Sequence, residues 1–259
     1  MTHYRTIAIS DIHLGTRGCK ADALCSFLKN HTCDNLFLIG DIIDGWRLKK
    51  RWYFPQSHMN VIRRILTAAK RDTKVYYILG NHDEVFRKFL NYDITIGRIK
   101  ILNHYDYLAK NGKKYLVVHG DMFDSLMMPN KKWLMYTGDI LYNFLIFFNT
   151  HFNKIRGILG LPYWSVSKFL KSKTKSAVNY INSFEKKVSI YCHRKGYDGV
   201  ICGHIHTAVI KELDGIEYMN DGDWVESCSA LVEHVDGRWE ILFYEGIENE
   251  ETNNDCNSQ

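Results

Sequence analysis

The sequence predicts an α/β layered domain, and three observations carry that expectation. Short apolar runs rich in β-branched residues recur along the chain, each closing on a polar loop. Segments of helical period lie between the first three of them. Late in the chain, Asp214-Gly215 and Asp236-Gly237 each sit between alternating apolar runs, the strongest short signal of a hairpin.

The elements follow in order. Tyr4–Ser10 (YRTIAIS) reads as a buried strand, and Lys20–Asn30 as the helix after it. Asp34–Gly40 (DNLFLIG) is the second strand. Ser57–Arg71 is a second helix, with Met59, Ile62, Ile65 and Leu66 at helical spacing. Lys74–Gly80 (KVYYILG), Lys113–Gly120 (KKYLVVHG) and Asp198–Gly203 (DGVICG) are three further strands. The two hairpins predict a second, antiparallel-rich sheet after the first. Residues 1–245 then form one domain, and the acidic, polar stretch 246–259 reads as a frayed tail.

Composition bounds the possibilities. With 259 residues, 46% hydrophobic and 24% charged, the chain can fill a sizeable core. Three prolines and no low-complexity tract argue against a long disordered linker. The first ten residues lack the apolar stretch of a signal peptide. No apolar run approaches the roughly 18–20 residues that span a bilayer. Seven scattered cysteines without a Cys-x-x-Cys pair fit reduced thiols in the cytoplasm.

The net charge of +5 is unevenly spread. Between Ser125 and Asp198 there are about 12 basic and about 3 acidic residues, so the remainder is slightly acidic. This segment, about 125–195, reads as an insertion between core strands. Its first half is rich in aromatics. Its second half is a basic helical pattern, with Phe169, Ala177, Ile181 and Phe184 set against Lys168, Lys171, Lys175 and Lys186. Two readings are open. It is a helical hairpin burying its apolar face on the core, or a cap whose apolar face meets acyl chains or a membrane while its lysines collect phosphates.

The strand ends carry the chemistry. The five strands run into Asp11-Ile12-His13, Gly40-Asp41 with Asp44 beyond, Gly80-Asn81-His82-Asp83, His119-Gly120-Asp121 and Gly203-His204-Ile205-His206. Ligands of open α/β sheets bind beyond the carboxyl ends of strands. One such pair of histidines is equally a core or surface feature. Five strand ends of the same kind point to a metal site. Asp and His with one Asn and no thiolate suit Mn²⁺ foremost, with Fe or Zn²⁺ also possible. Asp11, His13, Asp41, Asn81, His119, His204 and His206 are too many for one tetrahedral ion, but suit two ions sharing a carboxylate. Asp44, Asp83 and Asp121 are candidates for holding ligand histidines or capping loops. His3, His31, His58, His104, His151, His193 and His234 lack this setting and read as ordinary polar residues.

In this order, the strand-end motifs resemble those of the calcineurin-like metallophosphoesterases. GDIIDGW, HGDMFD, GLPYWS, CGHIHTAVI and NDGDWVES further resemble the bacterial UDP-2,3-diacylglucosamine diphosphatases of lipid A biosynthesis, from about Tyr4 to about Tyr244. The resemblance implies a four-layer αββα sandwich of two mixed sheets with an inserted helical cap that takes acyl chains. It implies cleavage of a diphosphate to UMP and a lipid 1-phosphate. It places one ion on Asp11, His13, Asp41 and His206, and a second on Asp41, Asn81, His119 and His204. Where that branch has Arg in Gly-Asn-Arg-Asp, this chain has His82, the generic phosphoesterase residue.

The expected catalytic groups are Asp41, as the shared ligand, and His82 as proton donor to the leaving oxygen, oriented by Asp44 or Asp83. Arg47, Lys168, Lys171 and Lys175 are candidates for the remaining phosphates, each being equally a solvated basic side chain. The expected partner is a nucleotide-lipid or another phosphoester, with peripheral contact to an anionic membrane through the cap on the cytoplasmic face of the inner membrane. Leu, Ile and Phe between the basic residues favour lipid over nucleic acid. A scaffold without catalysis has no need of the full ligand set.

Overall fold

The structure, a computed structural model, describes residues 1–92, 95–96, 98–127, 156 and 175–244. Its first three strands, β1 (Thr2–Ile9), β2 (His31–Ile39) and β3 (Lys74–Ile78), are parallel neighbours. Along β1, Ile7 and Ile9 face one apolar layer and Ala8 the other, so both faces of the sheet are buried. Two further strands, β4 (Thr95–Ile96) and β5 (Ile99–Leu102), extend the sheet beyond β3.

Two helices cover the outer face. In α1 (Ala21–Asn30), Ala21, Leu24 and Phe27 are buried. In α3 (Gln56–Lys70), the buried stripe is His58, Val61, Ile65 and Ala69. That stripe is rotated from the one the sequence suggested: Met59 is 41% and Leu66 45% exposed. His58 explains the shift, because its Nδ1 accepts a hydrogen bond from Gly15 N–H at 3.0 Å, which puts a polar residue on the inner face. A short helix between them, α2 (Gly45–Lys50), has no buried residue.

The second sheet holds β6 (His104–Leu108), β7 (Lys114–Val118), β8 (Gly199–Cys202), β9 (Val209–Leu213) and β10 (Ile216–Asn220). Among the described residues its order is β6-β7-β8-β10-β9. With β11 (Ser229–Glu233) and β12 (Trp239–Phe243), the first sheet runs β12-β11-β1-β2-β3-β5-β4. Phe37, Ile39, Tyr76 and Ile78 of the first sheet pack on Tyr107, Tyr115, Val117 and Ile201 of the second. The outer face of the second sheet is covered by α4 (Asp121–Met127) and α5 (Lys175–Lys195), through Phe123, Phe184, Val188 and Cys192. The result is the expected αββα sandwich.

Two expectations are corrected. The late hairpins do not form a sheet of their own. The β9–β10 hairpin joins the second sheet, because β10 pairs parallel with β8. The β11–β12 hairpin joins the first, because β11 pairs antiparallel with β1. The strands ending in His119 and Gly203 likewise belong to the second sheet, so the candidate ligands come from both.

From residue 175 onward the basic segment is a layer of the sandwich. Phe184 is fully buried, a contribution of roughly 1.5–3 kcal/mol for such a side chain, while Lys186 faces solvent. Most of the expected cap, including Lys168, Phe169 and Lys171, lies outside the described residues, as does the 246–259 tail. No helix among the described residues is long and apolar enough to cross a membrane. Six cysteines among the described residues are free thiols.

Candidate metal centre

The carboxyl ends of β1, β2, β3, β7 and β8 bring the predicted ligands to one place. Their backbone is unusual. Asp11, His13, Asp41, His204 and His206 have φ of 49°, 52°, 53°, 71° and 53°, a region that costs a residue with a side chain. The strain is held by hydrogen bonds between loops. Asp11 N–H donates to Gly40 O at 3.1 Å, and His13 N–H to Asp41 O at 2.9 Å. His204 N–H donates to Asp11 Oδ2 at 2.8 Å, and His82 N–H to Asp41 Oδ1 at 2.9 Å.

Two glycines mark close approach. A Cβ on Gly80 would lie 2.2 Å from Asp41 Oδ1, and one on Gly203 would lie 2.2 Å from Ser10 Oγ. These two glycines make room for carboxylates rather than supply a turn.

Three groups of potential ligands lie within 4.8 Å: Asp11 with His13 and His206, His13 with Asp41 and His82, and Asp11 with Asp41 and His119. Asp41 Oδ2 lies 3.4 Å from His119 Nε2, 3.8 Å from His82 Nε2 and 3.9 Å from His13 Nε2. Asp11 Oδ1 lies 3.1 Å from His206 Nε2. Asp11 Oδ1, His13 Nε2, Asn81 Oδ1 and His119 Nε2 are buried with no hydrogen-bond partner. Buried polar atoms are expensive to leave unpaired. Convergent orphaned atoms of this kind suit divalent cations, so the residues fit the metal their chemistry implies.

Electrostatics agree. Burial alone would raise the Asp41 and Asp11 carboxyls. The histidines beside them, His119 for Asp41 and His206 for Asp11, hold both well below the usual range. Burial would lower His13, but Asp44, Asp41 and Asp11 bring it up to about 9. The Asp41 and Asp11 carboxylates are thus kept ionised, and the His13 ring carries a proton where a cation would sit.

Partners behind the ligands orient them. His119 Nδ1 lies 2.9 Å from Ile39 O, which turns Nε2 toward Asp41. Asp44 lies 3.4 Å from His13 Nδ1 and 3.1 Å from His82 Nδ1. Its Oδ1 also accepts Arg47 N–H at 2.8 Å, capping α2. Asp83 does not reach His82. Its carboxylate accepts Ile42 N–H, Ile43 N–H and Tyr77 O–H, which fixes the loop after β2. Burial and Asp41 push its pKa up to about 6. The orientation of His82 therefore falls to Asp44, and Asp83 is a loop clamp. Asp121 pairs with Arg87 at 2.7 Å.

Sequence reasoning missed five residues, Asp124, Tyr180, Asp223, Ser10 and Asp221. Asp124 Oδ2 lies 2.7 Å from His204 Nε2, and Tyr180 O–H donates to Asp124 at 2.6 Å. Asp223 Oδ2 lies 3.8 Å from His206 Nδ1. Ser10 Oγ bridges Asp11 Oδ2 at 2.6 Å and Asp221 Oδ1 at 2.7 Å. Burial holds Asp221 well above the usual carboxyl range. The Ser10 hydroxyl donates to these carboxylates and so links Asp221 to Asp11. The motif NDGDWVES contains Asp221 and Asp223, but nothing in its spacing says which ligand each would face.

Two of the four predicted phosphate-binding residues lie within the described elements. Arg47 is exposed on α2, and Lys175 opens α5. Lys168 and Lys171 lie outside the described residues.

A family model described as calcineurin-like phosphoesterase matches residues 4–208. No curated protein matches the chain. Among solved structures, a novel archaeal phosphodiesterase is 12% identical with a TM-score of 0.43, over 92% of this chain and 98% of that one. YfcE, a phosphoesterase from E. coli, is 14% identical with a TM-score of 0.43, over 92% and 98%. Vps29 from Entamoeba histolytica, complexed with zinc, is 12% identical with a TM-score of 0.40, again over 92% and 98%.

Proposed function

The chain belongs to the calcineurin-like phosphoesterase family and is a metal-dependent phosphoesterase; on that premise we propose that it hydrolyses a phosphoric anhydride by a two-metal mechanism. The observation that supports this reading is the set of buried, unpaired ligand atoms from Asp11, His13, Asn81 and His119 around Asp41. Asp11, His13, Asp41 and His206 would hold one ion, and Asp41, Asn81, His119 and His204 the other. Divalent ions there, Mn²⁺ foremost, would supply an activated water and neutralise charge on the phosphoryl oxygens.

The chain's own residues do the rest. Asp44 Oδ1 lies 3.1 Å from His82 Nδ1 and so directs Nε2 to the side of Asp41. A proton on that Nε2 passes to the leaving oxygen, and solvent restores it. His13 is held by the same carboxylate. One residue thus aligns a metal ligand and the proton donor.

The substrate we propose is UDP-2,3-diacylglucosamine or a similar UDP-sugar lipid, cleaved to UMP and a lipid 1-phosphate at the cytoplasmic face of the inner membrane. GDIIDGW, GLPYWS and NDGDWVES support it. Arg47, Lys168, Lys171 and Lys175 would meet the remaining phosphates, and the segment about 125–175 the acyl chains. His82 in place of Arg favours a second reading, hydrolysis of another phosphodiester or phosphomonoester.

The test is Mn²⁺-dependent release of UMP from UDP-2,3-diacylglucosamine, with Asp41→Ala as control. Release by the wild type alone supports both site and substrate. Cleavage of bis-p-nitrophenyl phosphate without UMP release keeps the site and moves the substrate to the second reading. Near-normal turnover by Asp41→Ala sinks the mechanism.

A further inference from the structure

The end of the sandwich opposite the metal centre carries a second concavity. A groove of about 840 Å³ opens at the amino ends of β1, β2 and β3, with β6 as its far wall. Those parallel strands direct their carboxyl ends to the metal centre, so the groove lies a full strand length away.

Its charge is unbalanced. Lys29, Arg64, Arg71 and Lys74 line it, and among the described residues none of them has an acidic partner. Three acids also line it, but each is engaged with another group. Asp34 lies 3.2 Å from His3, Asp72 2.7 Å from Arg98, and Asp106 2.9 Å from Lys114. Arg5 is held by the fully buried Glu233 at 3.5 Å.

The helix ends do not account for the cations. Lys29 and Arg71 stand where a cation complements a helix C-terminus. Arg64 is in the body of α3, and Lys74 is on β3. Four like charges around one concavity repel one another, and an anion between them removes that cost.

The lining also offers a neutral donor. Tyr105 O–H donates to the Tyr76 oxygen at 3.4 Å. The Tyr76 hydroxyl is free to turn its hydrogen to the groove, on a side chain that is 7% exposed and lines it. Guanidinium groups take phosphate oxygens in pairs, and a phenol hydroxyl adds one further donor.

We propose that this groove is a second binding site, for a small, multiply charged phosphoryl anion held by Arg64, Arg71, Lys29, Lys74 and Tyr76. It is separate from the hydrolytic centre and does not depend on what that centre cleaves.

Calorimetric titration of the full, metal-loaded chain with UMP tests it. The wild type should show two sites. The Arg64→Glu/Arg71→Glu variant should lose one of them, weakened at least about tenfold, and keep its hydrolytic rate, which also shows that it folds. Asp41→Ala should keep the site that the double variant loses. Tyr76→Phe keeps the ring, removes the donor and should weaken that same site several-fold. Binding at the remote site should fall with salt, because its cations are partly exposed. A wild type with one site, abolished by Asp41→Ala, overturns the proposal. So does a double variant that binds UMP as the wild type does.

Discussion

His204 Nε2 lies 2.7 Å from Asp124 Oδ2, and this contact decides which nitrogen of His204 faces the metal centre. With Nε2 committed to the carboxylate, Nδ1 is the nitrogen left to serve as ligand. Asp124 is itself fixed by Tyr180 O–H at 2.6 Å, so α5 reaches the centre through two side chains. Asp124→Ala should lower metal affinity by about 10–100-fold, as loss of a ligand's outer partner does. Tyr180→Phe should do the same more weakly. Chelator competition with Mn²⁺ measures both, and unchanged affinity in Asp124→Ala would remove the carboxylate from this role.

His82 and Asp44 should separate by readout. His82→Ala should lower kcat by about 10²–10⁴-fold while leaving metal content intact, because it removes a proton donor rather than a ligand. Asp44→Ala should lower kcat and metal affinity together, because Asp44 holds both His82 and His13. Metal analysis beside steady-state kinetics on the two variants distinguishes them. Loss of metal in His82→Ala would make His82 a ligand.

Gly80→Ala should be far more damaging than an alanine on a surface loop. The new methyl would lie 2.2 Å from Asp41 Oδ1 and 2.6 Å from Asp41 N, and neither atom can retreat without moving the shared ligand. Overpacking of this kind costs about 1–3 kcal/mol. A displacement of about 1 Å at a reacting group costs about a hundredfold in rate. Thermal unfolding and kcat/KM check the two halves separately.

Metal uptake should release protons. In the metal-free chain His13 titrates at about 9, above its ordinary 6.5, because Asp44, Asp41 and Asp11 outweigh the effect of burial. A raised histidine stabilises the metal-free fold below 6.5, and that contribution fades as pH rises through about 9. Metal needs the neutral ring, so affinity runs the other way and strengthens with pH up to about 9. Calorimetry at pH 7 in buffers of different ionisation enthalpy counts the protons. Zero release would show that His13 is already neutral before metal arrives.

The strands and their ends were legible because they obey local rules. An apolar run stops at Asp11, Asp41, Asn81, His119 or His204, and the spacing of Asp11 with His13 and of His204 with His206 is visible without a structure. What lies behind those ligands obeys no local rule. Asp124 meets His204 only because α4 and α5 pack on the second sheet, and Asp221 reaches Asp11 only through Ser10. The sequence leaves Asp83 open between holding a histidine and capping a loop for the same reason: proximity to His82 says nothing of the N–H groups of Ile42 and Ile43 that claim its carboxylate. The phase of α3 is hidden in the sequence because His58 is polar, and only the hydrogen bond from Gly15 N–H places it on the inner face.

The division of the two late hairpins between the sheets sets the order in which the molecule can assemble. β1 is flanked by β2 on one side and β11 on the other, and Asp11 at its end meets His206 from beyond β8. A chain emerging from the ribosome can pair β1, β2 and β3 early, but it lacks His204 and His206 until β8 and its loop have been made. Such long-range closure is slow. A cell that starves this protein of metal should therefore leave newly made chains exposed to proteases for longer, while chains already loaded persist.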